Sequence, residues 1–333
     1  MKRKIGRRKR KKQKKILIII SLSLLLFLCV GYAAFSTQLT MSAKGNIKDY
    51  NAAWQLLKSV VTQGDGLYKD IYEDGRYVYK GANPNNYINF NNELWRIMSV
   101  EKDNTLKIIK EDTLGTMKYD GTPTDNRYNS NNTYCTLSSS GSNYSCNVWS
   151  AVNGTFINGG FSGTITEDSD LNIYLNNTYY NSLSNEAKNQ IQPHNFQIDG
   201  KADKGTVNDY ITNTNKYLWY GKIGLIDLSD WFKASNNSNC TLSNSDWCPM
   251  SNYNREDYEC SYENYLYNNL QVWSMNPNNK SVRYILLINP YGCIGNGSTT
   301  VSDGVHVRPV LYLKADIKLK GTGTESNPYI ITN

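Results

Sequence analysis

Charge and apolarity separate sharply at the start of the chain. Residues 2–15 (KRKIGRRKRKKQKK) are followed at once by Ile16–Phe35 (ILIIISLSLLLFLCVGYAAF), a run of twenty residues with no charge. As a helix rising about 1.5 Å per residue, such a run reaches about 30 Å, the thickness of a bilayer core. A basic flank is held in the cytoplasm, so the remainder is expected to be exported. Downstream the period changes. Ala52, Ala53, Leu56, Leu57, Val60 and Val61 recur at helical spacing and predict an amphipathic helix of about thirteen residues within Asp49–Gln63, ended by Gly64 and Gly66. From Arg76 the pattern is that of short strands: Arg76–Lys80, Tyr87–Phe90, Glu93–Val100 and Thr105–Glu111, divided by the turn signals Asn91-Asn92 and Asp103-Asn104.

Gly121–Gly163 is rich in Asn, Ser, Thr and Gly and reads as a long stapled loop. Asp168 or Ser169 is placed to cap a helix over Leu171–Leu183, and Ser184 a shorter one through Ile191. Leu218–Leu228 reads as a strand, Asn236–Glu259 as loop, and Val282–Asn289 and Val305–Leu313 as the last strong strands, with an extended tail after them. The expected organisation is a basic cytoplasmic segment (1–15), an anchor or signal core (16–35), an extended stretch from Ser36 to Asn46 with the amphipathic helix (36–66), one α+β domain (67–315) and the tail (316–333). The length of the apolar run favours a retained anchor. Cleavage after Ala33 or Ser36 is the alternative, which would release the protein to the cell surface.

Composition narrows the function. Of 333 residues, 39% are hydrophobic and 20% charged, enough to bury a core. Eleven Lys and Arg lie in Met1–Lys15, and without them the net charge of +7 becomes −4. A nucleic-acid-coating protein is therefore excluded, and a single long apolar run excludes a many-helix transporter.

Cys29 lies in the apolar run, which leaves Cys135, Cys146, Cys240, Cys248, Cys260 and Cys293 on the exported side. Six cysteines allow fifteen pairings. Proximity favours Cys135–Cys146, Cys240–Cys248 and Cys260–Cys293. The spacing does not suit zinc.

Several segments, in order, carry a resemblance: Glu93-Leu94-Trp95-Arg96-Ile97; the run from Ser169 containing Leu171, Leu175 and Asn176; Trp273-Ser274-Met275-Asn276-Pro277; and Gly304-Val305-His306-Val307-Arg308-Pro309-Val310-Leu311. Together they resemble an uncharacterised bacterial exported domain family related to the formylglycine-generating-enzyme and C-type-lectin-like fold. A single Trp273 where the family often has two, and the inserted His306, are departures. The Tyr-Ala-Ala-Phe-Ser stretch resembles the cleaved export signals of fibre-forming matrix proteins, and Gly321–Tyr329 resembles a phrase of bacterial adhesin-like surface proteins. The resemblance implies an α+β, C-type-lectin-like, loop-rich, disulfide-stapled ectodomain. The cysteine pair and copper of the formylglycine-generating relatives have no matching positions, and no cofactor is expected.

Other candidate chemistry is thin. Pro290-Tyr291-Gly292-Cys293-Ile294 is similar to the S-H-G-C core of cell-wall transpeptidases, but Tyr291 stands where a His would activate the thiol. Asn276-Pro277-Asn278 lacks the carboxylate that calcium needs and reads as a turn. Tyr253, Tyr262, Tyr265, Tyr267, Asn278 and Tyr291 offer aromatic area and adaptable hydrogen bonds, a possible binding face. The expectation is a non-enzymatic adhesion or binding module for glycan or protein. The alternatives are an envelope-acting enzyme using Cys293, and a self-associating structural subunit docked through the Asp49–Gln63 stripe.

Overall fold

The computed structural model describes residues 50–332, apart from 121–134, 138–143, 151, 159–160, 166, 202–203, 213–216, 249–257, 282 and 301–304. The basic segment, the apolar run and the stretch after it lie outside the described residues, as do Tyr253 and Gly304. Among the described residues no helix is long and apolar enough to cross a membrane. The architecture is mixed α+β, mostly sheet with few and short helices.

The amphipathic stripe forms a helix, α1, only over Ala52–Leu57, capped by Asn51, whose side chain accepts the Trp54 N–H. A turn follows, and Val60 bridges Leu67 instead of extending the helix. The apolar face (Ala52, Ala53, Leu56) is buried within the domain's own core. The Ala52 N–H donates to Ile317 O at 2.7 Å, and Gln55 Oε1 accepts the Leu319 N–H at 3.0 Å. The buried part of the stripe therefore has its partner within the chain.

The main sheet holds nine strands. In chain order these are β1 (Gly66–Lys69), β2 (Tyr77–Lys80), β3 (Tyr87–Phe90), β4 (Glu93–Val100) and β5 (Leu106–Lys110), then β12 (Ile223–Gly224), β16 (Val310–Leu313), β17 (Lys318–Lys320) and β18 (Tyr329–Thr332). Their lateral order is β12-β16-β5-β4-β3-β18-β17, with β2 and then β1 joined to the far end of β4. All these pairs are antiparallel except β18 on β3, which is parallel. The core does not end at Leu313. The expected tail supplies two strands to the sheet, and Ile317 and Leu319 are buried.

The Gly121–Gly163 region carries two hairpins rather than loop alone: β6 (Cys135–Leu137) with β7 (Tyr144–Cys146), and β8 (Val152–Asn158), whose partner β9 (Phe161–Ile165) follows it. Ser169 caps α2, which opens at Asp170–Ile173, widens into a π-helical segment over Tyr174–Tyr179 and ends at Tyr180–Ser182. Ser184 caps α3, Asn185–Gln190. β10 (His194–Gln197) pairs with β11 (Leu218–Gly221), and α4 (Val207–Thr212) lies between them in sequence.

The expected strand Leu218–Leu228 breaks up. Asp227 accepts the Ser229 N–H and starts a helix, α5, over Leu228–Lys233. A second sheet joins β13 (Val272–Pro277), β14 (Tyr284–Ile288) and β15 (Ile294–Ser298). Asn276 and Pro277 are strand residues and not a turn. The Asn276 side chain accepts the Leu228 N–H at 2.8 Å and donates to Asp227 Oδ2 at 2.8 Å, which fastens this sheet to the start of α5.

Candidate functional site

An open cleft of about 520 Å³ lies over one end of the main sheet. The strand registers set its floor. Ser99 of β4 stands opposite Lys107 of β5, and Lys107 opposite Tyr312 of β16. Arg76 enters from the turn before β2, where its carbonyl accepts the Asp70 N–H at 2.9 Å. Asp230 and Lys233 come from α5, aimed by the Asp227 cap.

These groups form one buried network. Arg76 Nη2 donates to Asp230 Oδ1 at 2.7 Å and to Ser99 Oγ at 3.2 Å, its Nη1 to Asp70 Oδ2 at 3.2 Å, and its Nε to Glu101 at 3.1 Å. Lys107 Nζ donates to Asp230 Oδ2 at 2.5 Å and Lys233 Nζ to Asp70 Oδ2 at 2.9 Å. The cations Arg76, Lys107 and Lys233 balance the carboxylates Asp70, Glu101 and Asp230 one for one. The Arg76 and Asp230 side chains are each only 5% exposed. Pairing and full hydrogen bonding are what make such charges tolerable away from water.

The electrostatics follow from the pairing. Burial alone would raise the Asp230 carboxyl, but Lys107 and Arg76 more than offset it and hold the group well below the usual carboxylate range. Asp70 is likewise lowered, by Lys233 and Arg76 against burial. Burial opposes the charge on Arg76 and Lys107 too, yet Glu101 and Asp230 push the first up and Asp230 the second. Asp70, Asp230, Arg76 and Lys107 are thus all moved away from neutrality, where a general acid or base operates.

One wall is aromatic. The His194 ring stacks on Tyr312 at 4.0 Å, and its Nε2 lies 3.2 Å from Asp103 Oδ2. From Tyr312 the ring contacts continue through Phe196, Trp219, Trp149 and Tyr119 to Trp273 in the core. Nothing in the sequence marked this cleft as a site. The available signal was a pair of lysines, Lys107 and Lys110, inside a strand whose residues are all buried.

The described residues singled out by resemblance lie in or against the core. Trp95, Leu171, Leu175 and Trp273 are buried in the core, and Pro277 and Pro309 are buried beside it. Asn176 acts as a strand partner: its amide donates to Ile223 O at 2.9 Å and accepts the Ile223 N–H at 3.1 Å, which completes β12. Arg96 and Arg308 converge on Glu111, at 3.6 and 3.4 Å. Arg96 also lies over the Tyr87 and Tyr265 rings, while Arg308 donates to the Lys110 and Leu266 carbonyls.

The described members of the expected aromatic face are mostly buried or half-buried. Tyr265 and Asn278 are buried, the latter donating to Asn296 Oδ1 at 2.8 Å. Tyr262 is half-buried, and Tyr267 spends its hydroxyl on Pro290 O at 2.8 Å. Of the described members, Tyr291 alone is open to solvent. They lie in the loop after a 3-10 turn (Glu259–Ser261), just past β13 and between β14 and β15, and all but Tyr291 are at least half-buried.

Two expected cysteine pairings are replaced. Cys240 is bonded to Cys260 and Cys248 to Cys293. The cause is local: the Cys248 N–H donates to Ile294 O at 2.9 Å, and Trp247 bridges Ile294 in parallel, so the chain before Cys248 runs beside β15. Cys146 is also disulfide-bonded, and Cys135 stands directly opposite it in the β6–β7 register. Cys293 is fully buried with its sulfur bonded, so in this state it carries no thiolate. Among the described residues no group of three or more His, Cys, Asp or Glu is placed to hold a metal ion. Compared with known proteins, the chain matches no family model, no curated protein and no solved structure.

Proposed function

We propose that the protein is an exported, surface-held binding module, kept at the membrane by residues 16–35 or released to the cell surface by their cleavage. Its ectodomain is of the C-type-lectin-like kind, related to the bacterial exported family that its motifs resemble. It is non-enzymatic, and it holds a polar ligand, glycan or protein, in the cleft above Arg76 and Asp230. Nucleic acid is not among its ligands.

One observation carries this reading: the cleft is open and polar, while its charged floor is already paired and fixed. A fixed floor presents hydrogen-bonding groups without further ordering cost, which favours binding. Asp230 and Lys107 are held away from the pKa range of proton transfer, and the candidate thiol is in a disulfide, so these features of the cleft favour recognition over catalysis. Disulfides persist in oxidising compartments, which agrees with export. The test is retention of the oxidised full-length chain on cell-wall, mucin and glycan-array surfaces, against a scrambled-disulfide control. Retention that falls on replacing the wall residue His194→Ala is expected. Equal retention of native and scrambled protein on every surface would refute the reading.

A further inference from the structure

We propose that the ligand is a linear, uncharged polysaccharide that lies along a groove of three confluent lobes; this rests on the reading of the cleft as the binding face. The central lobe is the 520 Å³ cleft. It shares Tyr72, Ile211 and Lys233 with a second lobe of about 220 Å³, which continues past Phe232 to Asn236 and Leu242. At another wall it shares Asp103, His194 and Asn195 with a third lobe of about 420 Å³, which runs past Pro193 to Tyr220 and Ala315. The two outer lobes have no lining residue in common, so they leave the central one by different walls. The central lobe alone already matches the size of a small-molecule site, and the continuous groove exceeds what one sugar or metabolite fills.

The chemistry selects the class. An anionic polymer is recognised by cations with donors to spare. Here Arg76 gives its donors to carboxylates and Ser99, and the charges of the buried Lys107 and Lys233 are neutralised by Asp230 and Asp70. At the rim Glu73, Asp74 and Asp103 outnumber the one further cation, Lys102, and repel anions. Hydroxyl groups both donate and accept, and so match a lining that mixes Asn195, Asn236 and Asn237 with carboxylates. Flat apolar faces for stacking on sugar rings stand along the groove, Tyr72 at one junction (41% exposed) and Tyr220 towards the opposite end (65% exposed). An extended peptide would want apolar anchor pockets. Among the described residues lining the central lobe, Ile211 and Leu218 are the only aliphatic ones.

The experiment is calorimetric titration of the oxidised full-length chain with neutral oligosaccharides of one to eight units from β-1,4-glucan, β-1,4-mannan and N-acetylglucosamine polymers. Polygalacturonate fragments and a neutral peptide pool run beside them. In at least one neutral series the affinity should climb by about tenfold or more between two and six units and then level off, the scale of one added ring stack. Tyr220→Ala and Asn236→Ala should each lower the affinity of the long fragments and leave that of the short ones unchanged. Affinity independent of length, with both variants silent, would overturn the groove while leaving a binding module with one central pocket. Binding by polygalacturonate or peptide alone would overturn the ligand class. Binding by none of the probes, in a chain that the surface screens do retain, would overturn the inference and leave the binding reading standing; failure in both would remove the two together.

Discussion

Arg76 Nη2 and Asp230 Oδ1 meet at 2.7 Å across 154 residues of sequence, and each is tied to further opposite charges. The pair couples the turn before β2 to α5, and through the Lys107–Asp230 contact it reaches β5. The cleft floor is thus a stability element as well as a surface.

Replacing Asp230 by Asn keeps the shape and removes the charge that Arg76 and Lys107 share. Two buried cations then face each other with one carboxylate fewer. The expected loss is about 3–5 kcal/mol in urea unfolding. A loss under about 1 kcal/mol would class the pair with ordinary exposed ion pairs.

Acid should act in two opposed windows. Burial raises Asp246, which accepts the Cys260 N–H at 3.1 Å, to about 6. A raised carboxyl binds its proton more tightly when folded, so its contribution falls as pH rises from about 4 to 6. Asp70 and Asp230 are lowered, so their contribution is complete above about pH 4 and is lost below it. Stability should therefore rise modestly from pH 7 to pH 5 and collapse under pH 4. Asp246→Asn should flatten the upper limb and stabilise the protein at pH 7 by about 1–3 kcal/mol. Chemical denaturation across that pH range tests both limbs.

Peptide mapping of the unreduced protein should join Cys240 to Cys260 and Cys248 to Cys293. The two loops overlap in sequence, with separations of 20 and 45 residues. Loop-closure entropy puts their separate contributions at about 3 and 4 kcal/mol. Recovery of a Cys240–Cys248 peptide would contradict the path of the chain beside β15.

Asn176→Ala should leave both backbone groups of Ile223 without their side-chain partner. A cost of about 1–3 kcal/mol is expected, together with faster hydrogen exchange at Ile223 and unchanged exchange at Leu311. Unchanged exchange at Ile223 would show that β12 does not depend on the amide.

What could be read in advance was local. The short-strand pattern gave Glu93–Val100 as it stands and Thr105–Glu111 to within one residue at each end, because each sits in an antiparallel ladder. The serine caps of α2 and α3 were legible because a cap is a matter of adjacent residues. Ile294–Ser298 was missed because Gly295 and Gly297 resemble loop. In the structure Gly297 is a strand residue whose missing Cβ admits the Trp273 ring, which would lie 2.4 Å away. Proximity misled the cysteine pairing because spatial neighbours are set by the β15 contact, and the charge network was invisible because its members come from four separate segments. The Asp49–Gln63 pattern was a helix by periodicity, yet its second half turned away to pair with β1.

The parallel placement of β18 on β3 sets an order of events. Helix α1 and strand β3 are made early, but α1 hangs on Ile317 and one flank of β3 is covered by Gly323, Tyr329 and Ile330. Until those distant segments emerge, β3 offers an unpaired edge to any neighbouring chain. Joining segments so far apart in sequence also carries a large loop-closure cost before contacts reward it. A domain that emerges from residue 50 onward keeps that edge open until residues 323–330 follow, which makes this part of the sheet the most exposed to mispairing.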